Sequence, residues 1–147
     1  MNSEEPAGDK APIVKIFKTK WFARFARQQG IDDPALCDAV DRAERGLIDA
    51  DLGGDVIKQR IARPNEGKSG GFRSIVLFRS GHKAFFAYGF PKKARDNIRD
   101  DELKGFRELA AQMLAFDDNA LKTASAANAI IEVKCDDRDE EDEDLPE

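Results

Sequence analysis

The sequence predicts an α+β domain in which an N-terminal helical hairpin packs on a small antiparallel β-sheet, with a further helix and a short C-terminal strand completing the fold. Three observations carry this expectation. Apolar residues recur at helical spacing between Lys18 and Arg45. After Gly53 and Gly54 the apolar period drops from about 3.6 to about 2, and at Asp100 it returns to the helical value.

Each element has its own local reason. Trp21, Phe22, Phe25 and Ala26 fall at i, i+1, i+4 and i+5, one aromatic stripe on a helix over Lys18 to Gln28, with Thr19 placed to cap it. Asp33 followed by Pro34 starts a second helix, because a carboxylate accepts orphan amide bonds and proline needs none at the first position. That helix runs to about Arg45, with Leu36, Val40, Ala43 and Leu47 at helical spacing and Gly46 at its C-terminal cap. Asp55 to Arg63 reads as a strand, with Ile57 and Ile61 on one face and Lys58, Arg60 and Ala62 on the other. Phe72 to Arg79 and Lys83 to Phe90 are the next two strands of an antiparallel meander, joined by the tight Ser80, Gly81, His82 turn. Asp100 to Phe116 is a helix with Leu103, Phe106, Ala110, Met113 and Leu114 facing the sheet and acidic residues in its first turn. A short helical piece near Leu121 and a strand over Ala129 to Val133 follow. Residues 1–13 read as a flexible lead, 14–134 as the domain and 135–147 as an acidic disordered tail.

Composition narrows the function classes. No apolar run approaches the roughly 20 residues a bilayer span needs, and the opening MNSEEPAGDK is acidic and polar, so a cytoplasmic protein without membrane contact is expected. Cys37 and Cys135 lie far from each other and from the one histidine, which suggests two small semi-buried residues rather than a zinc site or a disulfide. No metal site and no cofactor are expected. His82 is read as a turn residue, and the NEGKSGGF order is not that of a nucleotide phosphate loop, since a strand rather than a helix follows it.

The net charge of −5 conceals an asymmetry that points to a partner. Between Val56 and Arg99 eleven Lys and Arg stand against Glu66 and Asp96, a net of +9, whereas from Asp100 onward five basic residues face sixteen acidic ones, a net of −11. Strand alternation sets Lys58 and Arg60 on one face, about 7 Å apart along the strand, where they repel each other unless an anion lies between them. Arg73 from the next strand and Lys92, Lys93 and Arg95 from the segment after the third extend this basic face, with Arg63, Lys68 and Arg79 as further candidate RNA contacts. Tyr88, the single tyrosine, stands at a strand end where its ring is placed to stack on a base or its phenol to donate a proton.

The order of two helices, IKQRIARP, GKSGGFRSIVLFR, FFAYGFPKKARDNI and a long helix with an acidic start resembles the RelE-type toxins of bacterial type II toxin–antitoxin systems, on their HigB-like side. The similarity covers Val14 to Val133, and its most specific pieces are the GGFR turn and strand and the YGFPKKARDNI segment. The resemblance implies a metal-independent endoribonuclease that cleaves mRNA, with the ribosome as the expected site of action, and leaves 2′,3′-cyclic phosphate and 5′-hydroxyl ends. It also implies a cognate antitoxin, expected to be a helix-turn-helix protein. On that reading Arg73 and Lys93 stabilise the phosphorane-like transition state. Lys58 is the general base, a role that needs a neutral amine and that crowding by Arg60 favours. Lys92 or Arg95 serves the leaving 5′-oxygen. The alternatives are a toxin of the same fold that inhibits DNA gyrase and a noncatalytic nucleic-acid-binding module. Basic residues on the sheet rather than on outer helices favour the nuclease.

Overall fold

The computed structural model describes residues 14–62, 71–95 and 97–135. Their order is β1 (Lys15–Thr19), α1 (Lys20–Gln29), α2 (Asp33–Glu44), β2 (Ala50–Asp51), β3 (Val56–Ile61), β4 (Phe72–Arg79), β5 (Lys83–Pro91), α3 (Asp100–Met113), α4 (Asp118–Ala126) and β6 (Ile130–Glu132). The strands form one sheet in the order β2-β3-β4-β5-β1-β6. Pairing is antiparallel except between β1 and β5, which run parallel from Lys15↔Lys83 to Lys18↔Phe86.

The chain is therefore α+β, but the expected architecture needs correction. The first described element is a strand, not a helical hairpin, and the sheet is six-stranded and mixed rather than small and antiparallel. The reason lies in where the apolar residues go. Ile16 and Phe17 are both buried, on opposite faces of the sheet, so Lys15 to Thr19 forms an interior strand where no strand was expected. The helices after it bury their stripes on the sheet, α1 against β5 and α2 against β3, instead of chiefly against each other.

Both faces of the sheet are covered. On one lie α1 and α2, with Phe22, Phe25, Leu36, Val40, Ile57, Ile61, Phe72 and Phe86 in a common core. On the other lie α3 and α4, with Val56, Ile75, Leu77, Phe85, Phe90, Met113, Leu114 and Leu121. Each fully buried side chain of this size contributes about 1.5–3 kcal/mol relative to exposure. Gly89 sets the approach of α1 to β5: a Cβ there would lie 2.6 Å from the Phe25 ring and 3.0 Å from Phe22.

Local signals account for the helix ends. Thr19 Oγ1 accepts from Phe22 N at 3.1 Å, capping α1 as expected. The cap of α2 is Asp32, one residue before the expected Asp33, with Oδ1 accepting from Ala35 N at 3.1 Å. Asp33 is thereby released to accept from Lys18 Nζ at 3.0 Å and from Lys134 N at 3.1 Å, tying β1, α2 and the chain beyond β6 together. At the other end of α2 Gly46 N donates to Ala43 O at 2.9 Å and Leu47 N to Arg42 O at 2.8 Å, a Schellman closure that the left-handed φ of 86° at Gly46 permits. Lys83 is 8% exposed and donates to Leu114 O at 3.3 Å and Phe116 O at 2.8 Å, closing the C-terminal end of α3. Burial, with Arg79 nearby, holds its pKa below the ordinary lysine value. Arg107 on α3 donates to Leu52 O and Gly53 O, anchoring the helix to the turn before β3.

The two cysteines, read from sequence as separate, are joined: Cys37 on α2 and Cys135 after β6 form a disulfide with Cα atoms 5.7 Å apart, 98 residues apart in sequence. Sequence separation hid this, because only the sheet order brings the end of β6 beside α2. Among the described residues no helix is long and apolar enough to cross a membrane.

Two tests of this packing follow. Reduction of the wild-type disulfide is expected to cost roughly 2–4 kcal/mol, read as a fall in urea midpoint that the Cys37→Ser variant no longer shows on adding reductant. Gly89→Ala is expected to cost about 1–3 kcal/mol by overpacking α1 against β5; an unchanged thermal midpoint would show that Phe25 moves aside freely.

Candidate nucleic-acid interface

Alternation along β3 divides its residues between the two cores. Ile57, Gln59 and Ile61 face α1 and α2, while Val56, Lys58 and Arg60 face the α3 side. In β4, Phe72 and Val76 belong to the first core and Ile75 and Leu77 to the second, which puts Arg73 on the α3 side as well. Arg60 and Arg73 are register partners, and Lys58 pairs with Ile75. Three of the sequence-predicted residues, Lys58, Arg60 and Arg73, are thus brought together on one face of two neighbouring strands.

Tyr88 reaches the same face through an irregularity. Ile75 pairs with Tyr88 and Val76 with Phe86, so Ala87 is an extra residue on β5. Strict alternation from Phe86, which lies in the α1 core, would send Tyr88 the same way. The bulge reverses the phase, and Tyr88 packs with Phe90 and Phe106 on the α3 side.

Like charges on a sheet need partners, and here two carboxylates and one neutral amide supply them. Arg73 crosses β3 to reach Asp49, beside the first residue of β2, at 3.2 Å. Asp49 is set there by Gln59, a buried side chain whose Oε1 accepts from Asp49 N at 3.0 Å and whose Nε2 donates to Ala39 O and Leu47 O. Lys58 Nζ donates to Asn97 Oδ1 at 2.6 Å. Arg95 holds Glu102 through both terminal nitrogens, at 2.7 and 3.4 Å, donates to the Tyr88 hydroxyl at 3.3 Å and lies 5.5 Å over the Phe90 ring. Arg73 Nε is the one buried side-chain polar atom among the described residues with no hydrogen-bond partner, so the fold does not use all the donors of this guanidinium.

The remaining candidates are more scattered. Lys92 and Lys93 lie in the turn after β5, Lys92 half-buried and Lys93 exposed, and Lys92 N donates to Gly71 O at 3.3 Å. Arg79 stands at the far end of β4, paired with Asp55 at 2.9 Å and apart from the cluster. Arg63 and Lys68 fall outside the described residues. Sequence reasoning passed over Asp49, Asn97 and Trp21. Asp49 lay outside the span over which charge was counted, Asn97 carries no charge, and Trp21 was placed in a buried stripe, whereas it is 46% exposed.

The Glu102 carboxylate links this face to α3, because Oε1 also accepts from Arg99 N at 2.7 Å at the helix start. Arg99 has no side-chain acceptor to return the bond, so Glu102 alone does the capping. The hydrogen bond from Arg95, then that from Arg99 N, holds the Glu102 pKa below the ordinary carboxyl value of 4.5. A lowered carboxyl pKa stabilises the fold fully above about pH 4.5, and the contribution is lost as pH falls below it through the folded value. Glu102→Gln is expected to lower the urea midpoint at neutral pH and to flatten its decline below pH 4.5; an acid limb as steep as the wild type's would sink this assignment.

A family model described as the RelE toxin of the RelE/RelB toxin–antitoxin system matches residues 14–133. No characterised protein and no solved structure was found to match the chain closely enough to count as a relative. The matched span takes in every described strand and helix, and with it the whole basic face of β3, β4 and the chain after β5. The chain belongs to the RelE family, the toxin components of toxin–antitoxin systems, whose partner is a cognate antitoxin.

Proposed function

We propose that this chain is a metal-independent endoribonuclease that cuts mRNA on the ribosome in the cytoplasm, arrests translation, and is neutralised by a helix-turn-helix antitoxin. The observation that carries the reading is the convergence of Lys58, Arg60 and Arg73 on one face of β3 and β4, with Tyr88 on the adjoining part of β5. Family membership supports the reaction class, and the positions of the cations support the roles assigned to them.

In this reading the 2′-hydroxyl oxygen forms a bond to the neighbouring phosphorus as the bond from phosphorus to the 5′-oxygen breaks. Lys58 takes the 2′ proton. Charge on the phosphorane-like oxygens is met by Arg73, by Arg60 beside it and by Lys93, cations fixed before the reaction and therefore not reorganised during it. Arg95 keeps its proton, since the hydrogen bond to Glu102 raises its pKa above the ordinary arginine value. It acts as a fixed cation, and Lys92 is left to protonate the departing 5′-oxygen. The products are a 2′,3′-cyclic phosphate and a 5′-hydroxyl end. Arg63, Lys68 and Arg79 hold flanking phosphates in this scheme, each by charge alone.

The test is cleavage of a short mRNA on programmed ribosomes, with 5′ ends mapped and their chemistry determined. Wild-type protein is expected to give new 5′-hydroxyl ends, and Arg73→Ala to slow cleavage by about a hundredfold or more, with circular dichroism showing the variant folded. Translation arrest with no new ends would eliminate the nuclease, and loss of supercoiling activity by gyrase in the presence of the protein would then identify the other mode of action.

A further inference from the structure

Trp21 is the second residue of α1, and 46% of its surface is open although Phe22, Phe25 and Ala26 of the same helix are buried. It is not there to complete the core. Its indole lies 4.7 Å from the Tyr88 ring, tilted by 33°, and 5.4 Å from the Phe25 ring at 16°. Tyr88 in turn accepts from Arg95 and neighbours Phe90 at 6.0 Å. An aromatic surface therefore runs without a break from the basic face to an exposed tryptophan.

The topology explains how a residue of α1 reaches that face. The ladder between β1 and β5 ends at Lys18↔Phe86, with Thr19 Oγ1 donating to Ala87 O at 3.3 Å just beyond it. The chain then turns into α1, so Trp21 sits at the margin of β5 beside the residue that the bulge redirects. A half-exposed indole separated from the Arg95 guanidinium by one tyrosine ring suits an unstacked nucleobase: every base has a π-face, and the cations beyond Tyr88 hold the adjoining phosphate.

We infer that Trp21, backed by Tyr88, is a stacking platform for the base of a nucleotide that flanks the phosphodiester held by Lys58, Arg60 and Arg73. This rests on the reading of the basic face as an RNA site and adds to it a subsite that recognises bases rather than charge. A single-stranded RNA is the occupant the surroundings favour, because the aromatic surface is bordered by Arg95 and continues into the basic face.

The chain has one tryptophan, so its fluorescence reports on this position alone. The wild-type protein is titrated with a short RNA carrying 2′-O-methyl groups, which cannot be cleaved, and with an abasic phosphodiester oligomer of the same length. The RNA is expected to quench the fluorescence and the abasic oligomer to bind without quenching. Trp21→Ala is expected to weaken binding of the RNA about tenfold or more, measured by anisotropy of a labelled oligomer, and to leave the abasic oligomer unaffected. Trp21→Phe, which keeps a ring, retains most of the affinity and guards against a folding defect in the alanine variant. Equal quenching by both oligomers, or wild-type RNA affinity in Trp21→Ala, overturns the platform while leaving phosphate binding intact. Absence of binding by either oligomer overturns the platform, and the cleavage assay on programmed ribosomes then decides the nuclease reading separately. A fluorescence change on adding the antitoxin, with none on adding RNA, assigns Trp21 to a protein interface and overturns the proposal.

Discussion

The basic face depends on how β5 is held. It pairs with β4 along its length and with β1 only through Phe86, and one extra residue, Ala87, lies at the point where the second ladder ends. Those two facts act together. The end of the β1 ladder frees the chain to turn into α1 beside Tyr88, and the extra residue turns Tyr88 from the α1 core to the α3 side. Without the bulge the ring would point into the space that Phe22 and Phe25 occupy. Gly89, the next residue, keeps that space open for the helix by having no side chain to put there.

A sheet buried on both faces usually carries apolar residues on both, and β3 and β4 depart from this at Lys58, Arg60 and Arg73. The cost of placing these charges together is offset by specific partners. Asp49 answers Arg73, Asn97 answers Lys58, and Glu102 answers Arg95 nearby. Buried Gln59 extends the arrangement below the sheet, since its amide fixes the loop that carries Asp49 by bonds to Ala39 and Leu47. One polar side chain on the opposite face thus helps to position the counter-ion of a cation above it.

Local patterns in the sequence revealed β3, β4 and β5 nearly to the residue, and the division of Ile57 and Ile61 from Lys58 and Arg60, because alternation and burial are properties of short segments. What escaped was set by contacts distant in sequence. β1 is five residues long and contains two lysines, and only its neighbours β5 and β6 make it a strand. The Cys37–Cys135 disulfide and the Asp49–Arg73 pair each join segments whose closeness follows from strand order. The bulge at Ala87 leaves no composition mark, so Tyr88 was legible as a candidate but its direction was not. Trp21 fitted the helical stripe by spacing, yet burial stops one residue short of it, where the helix meets the edge of the β1 ladder.

Arg95, beside Tyr88, and Arg73, on the face it shares with Lys58, differ in how free they are to meet a phosphate. Arg95 shares Glu102 with the start of α3, where the same carboxylate oxygen accepts from Arg99 N. A phosphate that took Arg95 from Glu102 would compete with a bond network that also ends a helix, and would leave the Tyr88 hydroxyl without its donor. Among the described residues Arg73 is bound to Asp49, through one terminal nitrogen, and Asp49 caps none of the helices. Exchange of that carboxylate for a phosphodiester preserves the charge balance of the face and disturbs no helix end. On the nuclease reading this ranks the cations: Arg73 is the one a substrate recruits, and Arg95 is the one that keeps the aromatic surface in place while it does so.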